Sequence, residues 1–546
     1  MLEVSSWLLI ISDIRPSPAS NMRSLDLVII FGYLIGVVLL GAWFARKQET
    51  TRDYFLGDRT VPWWAIAASI VATETSTITF ISVPGIAYAV NGNFQFLQLV
   101  FGYMVGRVVI SLLFIPSYFR GELLTVYQLL DRRFGGRIKM LAASLFVVMR
   151  NVADGIRLLL TGFVLAAVYI AFQPTADAGT LVVLSVILLG VVMIIFTYFG
   201  GMEAVIWIEV VQLGIYIAGA IAAAVVLINS TSGGLTTALA AGHQFNKFSV
   251  FDFSFNLTKD YTFWAGLIGG CFLTMSTHGT DQYLVQRYLC TDRPRRAAAA
   301  LLTSGAIVLA QFIGFLFIGV LLFAYYHPYT DAAYGALAAG TSTLPAGAGF
   351  QAVGGDRVFP DFITQHLPSG LSGLVVAAIF AAAMSSSLNS IAATVLNDLY
   401  KPFRPNRSDK HYLKVSHLLT LLWGVVQIGV ALAVRHQRDS ALKQALSVAA
   451  LINGPVLGVF LVGTLLRRVS EPPALIGMVT SLIVMVCFYF WVPLAFTWYV
   501  LVGSGITFLV AWAVSFAFAP APKERRDELA PGGAIESLLP EGEASR

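Results

Sequence analysis

The chain has 546 residues, of which 57% are hydrophobic and only 12% charged, and its mean hydropathy is +0.76. A soluble globular protein carries roughly 25% charged residues, so this composition excludes one and reads as an all-α polytopic membrane protein. The net charge of +5 does not point to nucleic acid, because the basic residues sit in short loops between apolar segments, and the scattered Cys271, Cys290 and Cys487 give neither a disulfide framework nor a zinc site.

Residues 1–24 read as an extension. Trp7 to Ile11 is a short apolar run without a basic flank or a small-residue cleavage site, a poor signal peptide. The extension is either disordered or the product of a start placed upstream of Met22. Hydropathy then predicts about thirteen spans within one transmembrane domain, 25–518, at 25–44, 61–90, 94–116, 138–170, 179–198, 203–229, 261–285, 299–325, 371–399, 411–434, 440–466, 473–490 and 494–518. Alternate loops carry the basic residues, from Arg46 and Lys47 through Arg132 and Arg133, Arg287 and Arg293, Lys401 and Arg404, and Arg467 and Arg468. The positive-inside rule makes that set cytoplasmic, with the N-terminus outside and the C-terminus inside. The loops 230–260 and 326–370 do not read as folded domains, and 519–546 reads as a disordered cytoplasmic tail.

Two of the spans are interrupted. Within 61–90 the centre reads Ala72-Thr73-Glu74-Thr75-Ser76-Thr77-Ile78-Thr79, too polar to face lipid, and Pro84-Gly85 weakens the helix again. A broken membrane helix frees carbonyls of the kind that hold Na⁺ at the midplane of secondary transporters. The alternative is a kinked helix whose hydroxyls bond back to their own backbone. The second interruption is Thr274-Met275-Ser276-Thr277-His278-Gly279-Thr280-Asp281. Spans two to six and seven to eleven therefore form two candidate halves of five, each opening on a discontinuous helix.

Three further patches carry chemistry. Ala381 to Ser390, AAAMSSSLNS, is either a small-residue packing seam or a row of hydroxyl ligands for a hard monovalent cation. Arg150, Asp154 and Arg157 lie in one span, where a single aspartate shared by two arginines leaves positive charge for a substrate carboxylate, unless Arg157 snorkels to the interface. Glu74 and His278 are left to tune the site or accept a proton, or, for His278, to be an interior hydrogen-bonded histidine.

GDRTVPWWAIAASIVATE, YFGGMEAVIWIEVVQ, TDQYLVQRYL, DRVFPDFITQHLPSGLSGL and AAAMSSSLNSIAATVLNDLYKP, in that order, resemble the sodium:solute symporters over about residues 25–470. The resemblance implies thirteen spans, an inverted five-plus-five core and Na⁺-driven alternating access. It places the main Na⁺ site on the carbonyls of Ala72, Thr75 and Ala382 and the hydroxyls of Ser385 and Ser386, or one residue on, at Ala383, Ser386 and Ser387. A second Na⁺ site of some members falls on Glu209, where others have Asp; the alternative is a salt bridge to a neighbouring span.

Ile78, Thr274, Thr277 and Val308 stand where the sodium–glucose branch has sugar-contacting polar groups, which disfavours glucose. Ser76, Thr79, Phe94 and Gln98 match the substrate set of the sialic acid branch, and FIPSYFRGELLTVYQLLDRRFG resembles the monocarboxylate and iodide branch. Phe94 and Gln98, at i and i+4, share one helix face and line either a pocket or a packing seam. The expected activity is Na⁺-coupled symport of a small polar, anionic organic solute, a sugar acid ahead of a monocarboxylate, with Arg150 and Arg157 as further substrate contacts. A proton-coupled carrier using Glu74 or Asp281, a neutral-sugar symporter and a sensory membrane module are the rivals. A membrane enzyme has no nucleophile–base constellation or metal-ligand cluster to support it.

Overall fold

In hydrocarbon a backbone must satisfy its own N–H and C=O groups, and a run of apolar residues does so by coiling into a helix. The computed structural model describes residues 24–44, 49–75, 77–89, 91–121, 123–173, 177–326, 355–384, 387–435, 441–526 and 528–529, and among them every regular element is helical. The helices that build the core are, in chain order, α1 (Ser24–Phe44), α2 (Trp63–Glu74), α3 (Thr77–Tyr88), α4 (Leu97–Leu113), α5 (Gly136–Phe172), α6 (Ala178–Ser230), α7 (Gly270–Gly279) and α8 (Gln282–Leu289). There follow α9 (Pro294–Tyr326), α10 (Leu371–Met384), α11 (Leu388–Thr394), α12 (Asp409–Val434), α13 (Ala441–Leu465), α14 (Glu471–Trp491) and α15 (Phe496–Val514). Seven of them, α1, α5, α6, α9, α12, α14 and α15, are individually long and apolar enough to cross a bilayer.

The spans at 179–198 and 203–229 are joined without a loop. α6 runs through both and turns at Gly201, where φ is +59°, a conformation open to glycine at no steric cost. The span 61–90 divides into α2 and α3, with the break at Thr75 (φ −77°, ψ 70°). Pro84 does not break it again. α3 continues to Tyr88, and Gly319 of α9 packs its backbone against the Pro84 carbonyl.

The tail begins later than the composition suggests. Ala521 N–H donates to the Arg468 carbonyl (2.9 Å), Arg525 Nη1 to that of Phe134 (2.7 Å), and Leu529 is fully buried. Ala521, Arg525 and Leu529 are held because a backbone N–H, a guanidinium and an apolar side chain find partners on the helix ends. Residues 1–23 and 530–546 lie outside the described residues.

What positions the centre is the contact between α4 and the segment leading into α7. A Cβ on Gly106 would lie 2.7 Å from the Cys271 carbonyl oxygen and 2.8 Å from Thr274 Cβ; one on Gly102 would meet the Gly266 carbonyl and stand 2.9 Å from Gly270 Cα. Two pairs of small residues four apart thus bring the backbones together, which is how helices associate where lipid competes for every apolar surface. Gly106→Val is expected to push α4 off α7 at about 1–3 kcal/mol, the ordinary cost of overpacking. Thermal melting in detergent checks this, with Gly214→Ala as the control, since a Cβ there meets nothing within 4 Å and should not lower the midpoint.

Candidate functional site

α2 ends where its sequence ceases to be apolar. Thr75 Oγ1 turns back to the Val71 carbonyl (2.7 Å), and Thr79 Oγ1 donates to that of Glu74 (3.2 Å). The last carbonyls of α2, that of Ala72 among them, and the Thr75 carbonyl at the break lie where an α-helix runs out of intrahelical N–H donors. They sit at the negative end of a half-helix dipole inside the protein, an environment that suits a cation.

The second break lies opposite. α7 stops at Gly279, and Asp281 caps α8 by accepting the Tyr283 N–H at 2.9 Å. His278, in the last turn of α7, bonds through Nε2 to Glu74 Oε1, so one hydrogen bond joins the two interruptions. Arg107, delivered by α4, donates Nη2 to the same oxygen and lies 3.4 Å from His278 Nε2. Thr277 Oγ1 lies 3.0 Å from His278 Nδ1 and donates to the Leu273 carbonyl at 3.1 Å. The side chains of Arg107 and His278 are 0% and 6% exposed and that of Glu74 15%, so the open edge of the cluster is the carboxylate.

Three more arginines, Arg287 fully buried and Arg150 and Arg157 partly so, each face a carboxylate. Arg150 donates to Asp281 and stacks over the Tyr283 ring at 4.4 Å. Arg157 Nη1 is 3.7 Å from Asp154 Oδ1, while Asp154 Oδ2 accepts the Ser387 hydroxyl. The sharing of one aspartate by both arginines is thereby corrected: the second helix break supplies Asp281 to Arg150 from 131 residues away, a partner that spacing within one helix cannot reveal. Thr280 and Asp281, with Tyr127, Met149 and Asn453, border a cavity of about 10 Å³, room for about one water.

Glu209 is the most completely satisfied of the carboxylates. Arg287 binds it through Nη2–Oε1 (2.5 Å) and Nε–Oε2 (3.3 Å), the Ser69 hydroxyl donates to Oε2, and Thr73 Oγ1 lies 3.0 Å from Oε1. Arg287 had been counted with the loop charges, yet it is fully buried. Neither Arg107 nor Arg287 was singled out from the sequence. The available signal was an arginine inside or against an apolar run, which by default needs a partner.

Phe94 precedes α4 and does not share a helical face with Gln98. Asn93 Oδ1 accepts the Gln95 N–H at 2.9 Å, a local turn that delays the helix to Leu97. Both residues hold the 245–262 loop. Phe94 N–H donates to the Ser249 carbonyl (3.1 Å), Gln98 Oε1 accepts the Asp252 N–H (2.9 Å), and Gln98 Nε2 reaches the Tyr261 carbonyl (3.2 Å). In the same loop Lys247 caps the end of α3, donating to the carbonyls of Ala87 (3.0 Å) and Ala89 (2.5 Å), and burial pushes its ammonium down to about 7. Thr79, by contrast, stands at the central break. Ala382 lies in the last turn of α10; Ser76, Ser385 and Ser386 are outside the described residues.

Two helices interrupted in mid-membrane and meeting through buried charges are the core of a secondary transporter. The chain matches the sodium:solute symporter family over residues 54–481, well over half its length. It belongs to that family. It is 30% identical over 508 residues to the sodium/sialic acid symporter NanT of Aliivibrio fischeri, covering 92% of this chain and 94% of the relative. It is 27% identical over 467 residues to human sodium-coupled monocarboxylate transporter 1, covering 84% and 72%. A solved structure of a Na⁺-coupled sialic acid symporter, substrate-bound and outward-open, superposes with a TM-score of 0.77 at 28% identity, over 92% of this chain and 99% of that one.

As a sodium:solute symporter the chain is a Na⁺-coupled transporter and not an enzyme, with an all-α core of two five-helix halves opening on discontinuous helices. Na⁺ is a transported substrate here. Removing one partner of a buried ion pair costs about 3–5 kcal/mol. Glu209→Gln and Arg287→Gln are each expected to lower the melting temperature and the folded yield, and Glu209→Gln combined with Arg287→Met to recover both. Size-exclusion profiles and melting curves in detergent decide it. A Glu209→Gln protein that melts like wild type and changes only its Na⁺ dependence would make Glu209 an ion ligand.

Proposed function

We propose that this symporter carries a small carboxylate-bearing solute inward with Na⁺, a sialic-acid-like sugar acid in preference to a short monocarboxylate. The observation that carries this reading is the meeting of two broken helices at a charge-bearing junction, in a chain whose likeness to a sialic acid symporter covers 92% of its length. In this reading Ala72, Thr75, Ala382, Ser385 and Ser386 hold Na⁺. Thr79, Ser76, Phe94 and Gln98 contact the sugar once the 245–262 loop lifts, and Arg150 and Arg157 attract its carboxylate. Glu209 as a second Na⁺ ligand would first have to give up Arg287. We place the protein in the cell membrane with thirteen spans, N-terminus outside and basic loops inside.

Proteoliposomes under an imposed Na⁺ gradient are expected to accumulate N-acetylneuraminic acid, and those under an H⁺ gradient alone are not. The methyl ester should be carried poorly, and Arg150→Gln and Arg157→Gln should each reduce uptake of the acid. Equal uptake of acid and ester would refute the carboxylate reading, and uptake without Na⁺ dependence would refute the coupling.

The hydroxyl ligands have their own test. Ser385→Ala with Ser386→Ala removes two oxygens, each contributing roughly 1 kcal/mol net, so the Na⁺ concentration for half-maximal uptake should rise about tenfold or more. An unchanged Na⁺ dependence would leave the serines as packing residues.

A further inference from the structure

The 245–262 loop exposes apolar side chains that a loop surrounded by water would bury. Phe251, Phe253 and Phe255 are 52%, 62% and 72% exposed, and Leu257 and Trp264 beside them are exposed as well. The residues between, Asp252, Ser254, Asn256 and Thr258, are polar. The rings gather into one patch. Phe251 stacks on Phe253 (centroids 5.7 Å apart, 12° between planes), Phe253 meets Phe263 at 4.9 Å, and Phe263 meets Trp264 at 5.2 Å. A contiguous apolar patch of this kind marks a surface that something other than water covers.

The patch continues a surface that already faces lipid. Phe251 stacks on Phe101 of α4 (6.1 Å), and Val105, Val108 and Leu112 follow Phe101 at helical spacing, all exposed on a helix that spans the membrane. At the other end the Leu257 carbonyl accepts the Ala495 N–H (2.9 Å), which sets the segment level with the turn between α14 and α15, where Phe490 and Trp491 are exposed. Aromatic rings gathered at one height near the helix ends are what the membrane–water interface selects. The polar residues suit the same height. Lys259 pairs with Asp252 (2.5 Å), and the side chains of Asp252 and Asn256 accept the N–H groups of Ser254 (3.0 Å) and Thr258 (2.8 Å). Irregular backbone is excluded from hydrocarbon itself, which leaves the headgroup–acyl boundary.

We infer that residues 251–264 form a membrane-docking strap whose aromatic side chains insert at the headgroup–acyl boundary of the outer leaflet. The inner edge of the strap holds the start of α4: the Asp252 N–H donates to Gln98, and the Ser249 carbonyl just before it accepts from Phe94. One short segment therefore ties the lipid surface to these two residues. A loop movement that frees Phe94 and Gln98 is then a displacement within the leaflet, since raising the rings into water would expose their apolar surface. The inference goes beyond the transport reading and does not depend on it; only the naming of the leaflet rests on the orientation proposed above.

The test is nitroxide accessibility in lipid nanodiscs. Full-length protein carrying Cys487→Ser keeps only the buried Cys271 and Cys290, and receives one of Phe253→Cys, Phe255→Cys, Ser254→Cys or Thr258→Cys for spin labelling. Power saturation compares collision with oxygen, which partitions into lipid, and with a water-soluble nickel chelate. Labels at 253 and 255 are expected to favour oxygen, and those at 254 and 258 the nickel chelate. All four positions are exposed, and either label of each pair suffices should one variant fail to fold. Labels at 253 and 255 that meet nickel as freely as those at 254 and 258 would overturn the inference, because the rings would then stand in water. Labels at 253 and 255 shielded from both reagents would overturn it in favour of a protein contact, and dipolar broadening between labels would identify that partner as a second copy of the chain. Ser254→Cys is expected to react with a membrane-impermeant maleimide added outside intact cells. No reaction, with the nanodisc pattern intact, would refute the proposed orientation and leave the docking standing.

Discussion

The hydrogen bond between Glu74 and His278, clamped by Arg107, is the constraint on which the rest of the structure depends. A helix that stops in mid-membrane leaves orphan backbone groups and polar side chains where no water can satisfy them. Two such helices stopping at the same depth can serve each other. The end of α2 supplies a carboxylate, the end of α7 an imidazole, and α4 the guanidinium that neutralises the carboxylate. The close glycine contact between α4 and α7 is therefore a requirement of the electrostatics as much as of packing. A displacement of one break is transmitted to the other through a charge-assisted bond, which makes the junction a physical link between the two halves.

A second constraint is the pairing of four interior arginines with carboxylates. An unpaired charge at this depth is costly, and the four pairs tie α4 to α2, α5 to α8, α8 to α6, and α5 to itself. The last pair is the loosest, at 3.7 Å, and its aspartate also accepts from Ser387 at the start of α11. These bonds fix which helix faces meet more sharply than apolar contact does, because apolar surface is nearly interchangeable with lipid. They also neutralise these four arginines before any transported ion arrives.

Much of this was legible locally. The polar runs at 72–79 and 274–281 marked both interruptions, since hydroxyls and carboxylates in an apolar segment have to face protein or a ligand. Pro84 removes one N–H from α3 without ending it, and the helix runs on to Tyr88. Phe94 and Gln98 had the right spacing for one face but belong to different local structures, since an Asn93 turn delays the start of α4. The docked residues up to Leu529 were unreadable for a similar reason: a charged, proline-containing stretch looks the same whether or not a helix end offers it acceptors.

The sequence by itself determined that the chain lives in a bilayer, that it is helical, where two helices break, and which family it belongs to. These properties follow from composition, hydropathy over tens of residues and ordered motifs. Only the tertiary structure decided the partner of each charge. Arg107 finds Glu74 33 residues away, Arg287 finds Glu209 at 78, Arg150 finds Asp281 at 131, and His278 finds Glu74 at 204. Such pairings are set by which helix faces pack together. That choice depends on small residues on two distant segments at once, and the periodicity of either segment alone does not contain it.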